Sequence, residues 1–364
     1  MTGQSRYRES ATQTSPDPAR CRVVTDWTGV TKQLLEGVRD CDPIYRPTNF
    51  WTPGLRDILA DLEQRGLEGF KSWPTAGYWF YPSYHTPLPP RTFEKTFKLA
   101  LKENPTLSKF SWIRTTNGFH EALRDFDAAR LTWDQSRWPF DLEGFGESAV
   151  GQPPRHYGLT NEDTIRWGKP YLNYLLCLAA LSRHVDEPPR HILEIGGGFG
   201  VLGEILMQRD EQARYVNLDI PPLLTVSSFY LTTLFGDRMR IPDALDDAGP
   251  LAPPASACLP NWRLPDVRGP FDVFVNSFSF QEMEPHVVDH YVAMVADLGV
   301  TYVVSLNSRQ GKRRATADTE GGALDPVTSD RIIDMFSKRG YTVCGRYGKP
   351  LIYSAGELVV LKHA

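Results

Sequence analysis

Leu193-Glu194-Ile195-Gly196-Gly197-Gly198-Phe199-Gly200 sets a carboxylate and four glycines between two apolar segments of different periodicity. On its N-terminal side, His191 to Ile195 reads as a short buried strand. On its C-terminal side, Val201 to Met207 carries apolar residues at helical spacing, so the glycines fall at a strand-to-helix turn. Glycine tolerates the left-handed backbone of such a turn and leaves room for a ligand. The composition implies a site for an adenosine-bearing cofactor.

Two cofactor readings compete. Gly198-x-Gly200-x-x-Gly203 satisfies the dinucleotide pattern, in which amides at a helix start hold a pyrophosphate. The other register, Glu194-x-Gly196-x-Gly198-x-Gly200, adds an acid at the strand end. A diphosphate gains nothing from a nearby carboxylate, whereas the sulfonium and ammonium of S-adenosylmethionine do. A second strand, Arg214 to Asp219, ends in a carboxylate placed to bind ribose hydroxyls. Asp219 supports adenosine binding under either reading.

Further strands are expected at Pro270 to Asn276 and Thr301 to Asn307, with an amphipathic helix from Val287 to Leu298 between them. This alternation implies a parallel sheet. A capped helix from about Thr328 to Lys338 stops at Gly340, and Tyr341 to Tyr347 and Glu357 to Lys362 read as two closing strands. The third strand is hard to read because Pro242, Pro250, Pro253, Pro254 and Pro260 interrupt its region; it is placed around Ala257 to Leu259.

Three blocks give the chain a family resemblance: Phe145 to Pro153, Leu193 to Gly200 together with Leu218 to Pro221, and Asn276-Ser277-Phe278-Ser279-Phe280-Gln281-Glu282-Met283. Over residues 140–310 it resembles the sugar O-methyltransferase family of bacterial glycan and natural-product gene sets, a class I S-adenosylmethionine-dependent group. The resemblance implies an α/β, Rossmann-like, seven-stranded sheet with an antiparallel last strand. It implies S-adenosylmethionine bound by Glu194, Gly196, Gly197, Gly198, Asp219, Ile220, Asn276 and Ser277. The implied reaction is methyl transfer to a hydroxyl of a sugar or glycosylated natural product. Alternatives are a nicotinamide-dependent oxidoreductase, an N- or O-methyltransferase of a non-sugar small molecule, and a donor-binding regulator without activity.

Ligands in open parallel sheets bind beyond the carboxyl ends of the strands, where Asn276 to His290 emerges. Glu282 and His286 are the candidate bases, four residues apart and so on one face if a helix has begun. Gln281 occupies the position of the catalytic histidine of plant-type small-molecule O-methyltransferases and cannot act as a base. The role then falls to Glu282, His286 or a residue such as His120. His286 with His290, and Asp243 with Asp246 and Asp247, are incomplete as ligand sets, and no metal site is expected. The basic run Asn307 to Arg314 is either a phosphate holder or a solvated loop, with Gly321 and Gly322 as hinges.

The division expected is a mobile tail (1–20), a mainly helical, aromatic-rich acceptor-binding domain (21–154) and the cofactor domain (155–364), with helices around Leu55 to Leu62, Thr92 to Leu101, Phe119 to Leu131 and Thr164 to Leu181. Every tryptophan except Trp262 lies at or before Trp167, and Gly77 to His85 is the densest aromatic cluster. These side chains either fill a core or stack on sugar rings. A net charge of -4 and a pI near 6.1 argue against nucleic acid as partner. Five scattered cysteines fit reduced thiols in a cytoplasm, and neither a signal peptide nor a membrane span is read. Oligomeric state is left unassigned.

Overall fold

The computed structural model describes residues 25–84, 90–109, 112, 119–138, 146–153, 167–241, 255–316, 321–348 and 356–364. Its centre is one eight-stranded sheet: β1 (His191–Ile195), β2 (Arg214–Asp219), β3 (Met239–Arg240), β4 (Ser256–Pro260), β5 (Val273–Ser277), β6 (Tyr302–Ser308), β7 (Tyr341–Tyr347) and β8 (Gly356–His363). The spatial order is β3-β4-β2-β1-β5-β6-β8-β7. Strands β1 to β6 are all parallel, pairing in that spatial order, and β8 runs antiparallel between β6 and β7. This is the class I methyltransferase arrangement, with the two-residue edge strand β3 added to the seven expected. The hard-to-read strand is β4, whose proline is the final residue of the strand.

Alternation along the strands sends side chains into two apolar layers. Ile192, Tyr215, Val275 and Leu306 join one cluster with the N-terminal helices, while Leu193, Val216, Phe274 and Val303 join the other. The first layer includes helices α1 (Trp27–Asp40), α2 (Thr52–Arg65), α3 (Phe119–Trp133), α4 (Lys169–Leu181), α5 (Val201–Arg209) and α6 (Leu223–Phe235). The second contains α7 (Pro285–Asp297) and α8 (Ser329–Ser337). Helix α8 starts where its sequence signals it, with the Thr328 hydroxyl accepting from the Arg331 amide at 3.2 Å. Among the described residues no helix is long and apolar enough to cross a membrane.

The N-terminal segments are tied to the glycine turn by a buried charged web. Glu147 accepts from Lys71 at 2.7 Å, from the Tyr81 hydroxyl at 3.0 Å and from the Gly168 amide at 2.9 Å, just before α4. Lys71 also donates to the Tyr230 hydroxyl, which in turn donates to Glu204 on α5 at 2.7 Å. The Lys71 ammonium lies 5.2 Å from the Phe199 ring centroid. Removing one member of such a pair leaves an uncompensated buried charge, so the web fixes where the N-terminal chain sits.

Candidate active site

Beyond the carboxyl ends of β1, β2, β4 and β5 lies a cleft of about 440 Å³. The glycine turn, Asp219, Ile220, Ser277, Gln281 and Glu282 line it, and across it stand Trp51, Tyr78, Trp79, Phe80 and residues of α3 and α4. Strand ends, where backbone amides and carbonyls are unpaired, are where an open parallel sheet binds ligands.

The glycines of the turn have different physical reasons. Gly196 has φ +73°, and a Cβ there would lie 2.0 Å from Ser279 Oγ in the turn after β5. A Cβ on Gly197 would meet Glu194 Oε2 and Asn217 Oδ1, each at 2.6 Å. Gly198 has φ +58° and nothing within 4 Å of its Cβ position, so it faces open cleft. Gly200 and Gly203 are packed against Leu231 and the Tyr215 ring.

Asp219 is 6% exposed at the end of β2. Its carboxylate accepts from the Gly198 amide at 2.8 Å and from the Ile220 amide at 2.7 Å. A carboxylate has about four lone-pair sites, so acceptor capacity remains for a ligand. Burial pushes its pKa up to about 7, with the amides opposing and Glu282 adding repulsion.

Glu194 is not in the cleft wall. The pleat of β1 turns it, like Ile192, toward α4, where it accepts from the hydroxyls of Tyr174, at 2.6 Å, and Tyr215. It is fully buried beneath Gly197, and burial pushes its carboxyl up to about 7. Glu194, expected to approach a cationic ligand, is placed below the turn and is not among the residues lining the cleft. Asn276 is likewise behind the wall. Its side-chain amide donates to the Ile195 carbonyl at 2.9 Å, and its oxygen accepts from the Phe280 amide at 3.1 Å. Gly196, Gly197, Gly198, Ile220 and Ser277 do line the cleft.

Glu282 and His286 are separated. Residues Phe280–Glu282 form a short 3₁₀ turn, Met283 and Glu284 are extended, and α7 begins at Pro285. Proline disfavours helical backbone in the residue before it, so the single helical face expected for Glu282 and His286 does not form. His286 is exposed in a shallow outer groove beside Asp289, Arg331 and Asp334. His290 meets the Tyr45 hydroxyl at 2.9 Å. Gln281 is buried and accepts from the Ser308 amide at 2.7 Å, a bracing contact at the edge of the cleft.

Glu282 accepts an ion pair from Lys312 at 2.9 Å and hydrogen bonds from the side chains of Trp51 and Gln281. Burial still pushes its carboxyl up to about 7. The basic loop is thus engaged at three points: Lys312 faces Glu282, Arg309 reaches Glu357 at 3.4 Å, and Arg314 donates to the Leu324 carbonyl. Two more ion pairs line the far wall, Lys169 with Glu121 and Arg124 with Asp125. Among the described residues no group of three or more His, Cys, Asp and Glu gathers as a metal site. Asp243, Asp246, Asp247 and the side chain of His120 lie outside the described residues.

Sequence reading missed Trp51 and the ion pairs Lys169–Glu121 and Arg124–Asp125 as cleft residues, and it named Lys312 only as part of a basic run. The aromatic richness before Trp167 was the available signal, and it spread across core and cleft alike: Tyr81 is buried, while Tyr78 is 78% exposed at the cleft.

No protein-family model and no curated protein matches the chain. Among solved structures it is similar to the pyocyanin biosynthetic protein PhzM, at 17% identity over 53% of this chain and 58% of that one, with a TM-score of 0.34. The mitomycin 7-O-methyltransferase MmcR gives 16%, 54%, 58% and 0.36. Magnesium protoporphyrin IX methyltransferase from Synechocystis PCC 6803, with bound S-adenosylmethionine, gives 10%, 49%, 71% and 0.33. The chain spans 58% of the length of the first two. The likeness covers about half of this chain, so the fold assignment rests on its own strand order.

Proposed function

We propose that this protein is an S-adenosylmethionine-dependent O-methyltransferase whose acceptor is a hydroxyl of a sugar or glycosylated small molecule, acting in a cytoplasm. One observation carries the reading. A single cleft is lined by Gly198, Asp219 and a buried Glu282 paired with the part-exposed Lys312.

The residues present fit the cofactor. Gly198 leaves the space a ligand needs, and Asp219 keeps acceptor capacity for ribose hydroxyls, as the same acid does in nucleotide-binding folds. Gly196, Gly197 and Ile220 complete that wall. When bound, S-adenosylmethionine supplies an electrophilic methyl group. The chain's own part is to align an acceptor hydroxyl and take its proton. Glu282 is the cleft carboxyl placed to accept it, and its raised basicity suits proton uptake near neutrality. The faces of Trp51, Tyr78 and Trp79 supply apolar surface for C–H faces of a sugar ring. The paired charges Lys169–Glu121 and Arg124–Asp125 offer hydrogen bonds without net charge, which suits a neutral polyhydroxylated acceptor.

The nicotinamide alternative loses support from Gly200. In a dinucleotide turn the middle glycine lets a pyrophosphate approach, whereas here Leu231 fills that space. A flat non-sugar acceptor remains the second reading, favoured by the same aromatic wall. Titration calorimetry with S-adenosylmethionine, S-adenosylhomocysteine, NAD and NADP tests the donor; binding of the nicotinamides alone overturns the proposal. Mass spectrometry of glycosides and flat phenols incubated with enzyme and donor then separates the acceptor classes.

A further inference from the structure

Four consecutive residues before α2 each reach across the cleft to the loops that follow β5 and β6. The Thr48 hydroxyl donates to the Glu282 carbonyl at 2.7 Å. The Asn49 carbonyl accepts from the Gly321 amide at 3.2 Å, and its side chain donates to the Gly321 carbonyl at 3.2 Å. The Phe50 ring centroid lies 4.6 Å from the Lys312 ammonium. Trp51 lines the cleft with Glu282, where its side chain favours the ionised carboxylate, and packs its ring 5.7 Å from that of Trp79. A core-filling aromatic has no need of such an unbroken run of polar and cation–π contacts to a single pair of loops.

We propose that Thr48-Asn49-Phe50-Trp51 is a positioning strap for the proton acceptor of the cleft, in which Trp51 aims the Glu282 carboxylate and Phe50 holds Lys312 beside it. The inference rests on the reading of Glu282 as proton acceptor. Thr48 fixes the backbone of Glu282, Asn49 anchors the loop that carries Lys312, and the next two residues address the side chains. Among the described residues, the groups with charge that face Glu282 are Lys312 from the loop after β6 and Asp219 from β2. Arg46, also in the cleft wall, gives its guanidinium to the carbonyls of Arg39 and Cys41. Trp51 is thus a neutral support of the ionised carboxylate beside the Lys312 ammonium and the Gln281 side chain.

Infrared difference spectroscopy of the protonated-carboxyl band across pH tests this in the full chain, with Glu282→Gln identifying the Glu282 signal. Trp51→Phe keeps an aromatic ring and removes the N–H. A hydrogen bond to the ionised form is lost, so the Glu282 midpoint should rise by about one pH unit. Mere loosening of the fold admits water and moves the midpoint down, toward an ordinary carboxyl. A midpoint that is unchanged or falls overturns the strap. Phe50→Leu gives a second arm should Trp51→Phe not fold: releasing Lys312 also raises the midpoint, and no rise overturns the role given to Phe50. The titration needs neither donor nor acceptor. Failure of the wild-type chain to bind S-adenosylmethionine therefore sinks the donor reading alone, whereas an unmoved midpoint sinks the strap.

Discussion

Glu194, beneath the glycine turn, and Glu282, on the cleft wall, are both carboxyls that burial pushes up to about 7, yet their partners come from different distances along the chain. Glu194 is held by tyrosines of α4 and of the neighbouring strand β2. Glu282 is held by Trp51 and by Lys312, which reach it from the N-terminal segment and from the loop after β6. The first arrangement is complete within the sheet and its covering helix. The second exists only after the N-terminal segment has docked. The glycine-turn wall, proposed to hold the donor, is therefore part of the fold, and the surroundings of Glu282, proposed to serve the acceptor, are an assembly built upon it.

If that contrast holds, substitutions should separate turnover from donor affinity. Glu282→Gln has the largest expected effect, a loss of roughly 10²–10⁴ in turnover with donor affinity unchanged. Rates measured with an identified acceptor, beside calorimetry with S-adenosylmethionine, check it; full activity would remove Glu282 from the chemistry. Asp219→Ala should act on the other side and weaken donor binding by about 1–3 kcal/mol, because a charged acceptor of hydrogen bonds is lost. Unchanged affinity would mean that the donor sits elsewhere.

Gly197→Ala and Gly198→Ala sharpen the contrast within the turn itself. At Gly197 the methyl group strikes Glu194, Asn217 and Tyr215, so thermal unfolding should report a loss of about 1–3 kcal/mol. Gly198→Ala meets no protein atom within 4 Å and carries mainly the left-handed strain of about 1–2 kcal/mol. The second variant should nevertheless lose more donor affinity relative to its stability loss, since its methyl enters the cradle. Equal ratios would show that Gly198 does not face the donor.

The smallest effect concerns Glu194 and pH. Its folded-state pKa lies above the ordinary carboxyl value, so the stability it contributes is present at low pH and is lost as pH rises through about 7. Glu204, Asp219 and Glu282 act in the same direction. Urea midpoints from pH 5 to pH 8 should fall for the wild type and fall less steeply for Glu194→Gln. Identical slopes would show that Glu194 ionises in the folded chain as easily as in the unfolded one.

Much of the sheet was legible because its signals are local. The strands His191 to Ile195 and Arg214 to Asp219 were read with their observed bounds, and the cap at Thr328 fixed the start of α8. β3 escaped because two residues carry no period, and β4 was blurred by the prolines around it. The condition for Glu282 and His286 to share a helical face, that the helix had begun by Glu282, fails for a local reason that could have been read: Pro285 marks the helix start and sets Glu282 outside it. Glu194 was a subtler case, since its place one residue inside the strand end sends its side chain into the helix layer rather than into the cleft.

Period, glycine placement and the acid ending β2 are properties of neighbouring residues, so the sequence by itself determined the α/β architecture, the cofactor turn and the candidacy of Asp219 and Glu282. Only the tertiary structure decided that Glu194 lies below the turn, that His286 faces away, and that Trp51 and Lys312 converge on Glu282. These outcomes depend on which distant segments dock together, and docking is set by the burial of whole faces and by paired buried charges such as Lys71 and Glu147. Neither leaves a periodic trace in the segments that meet.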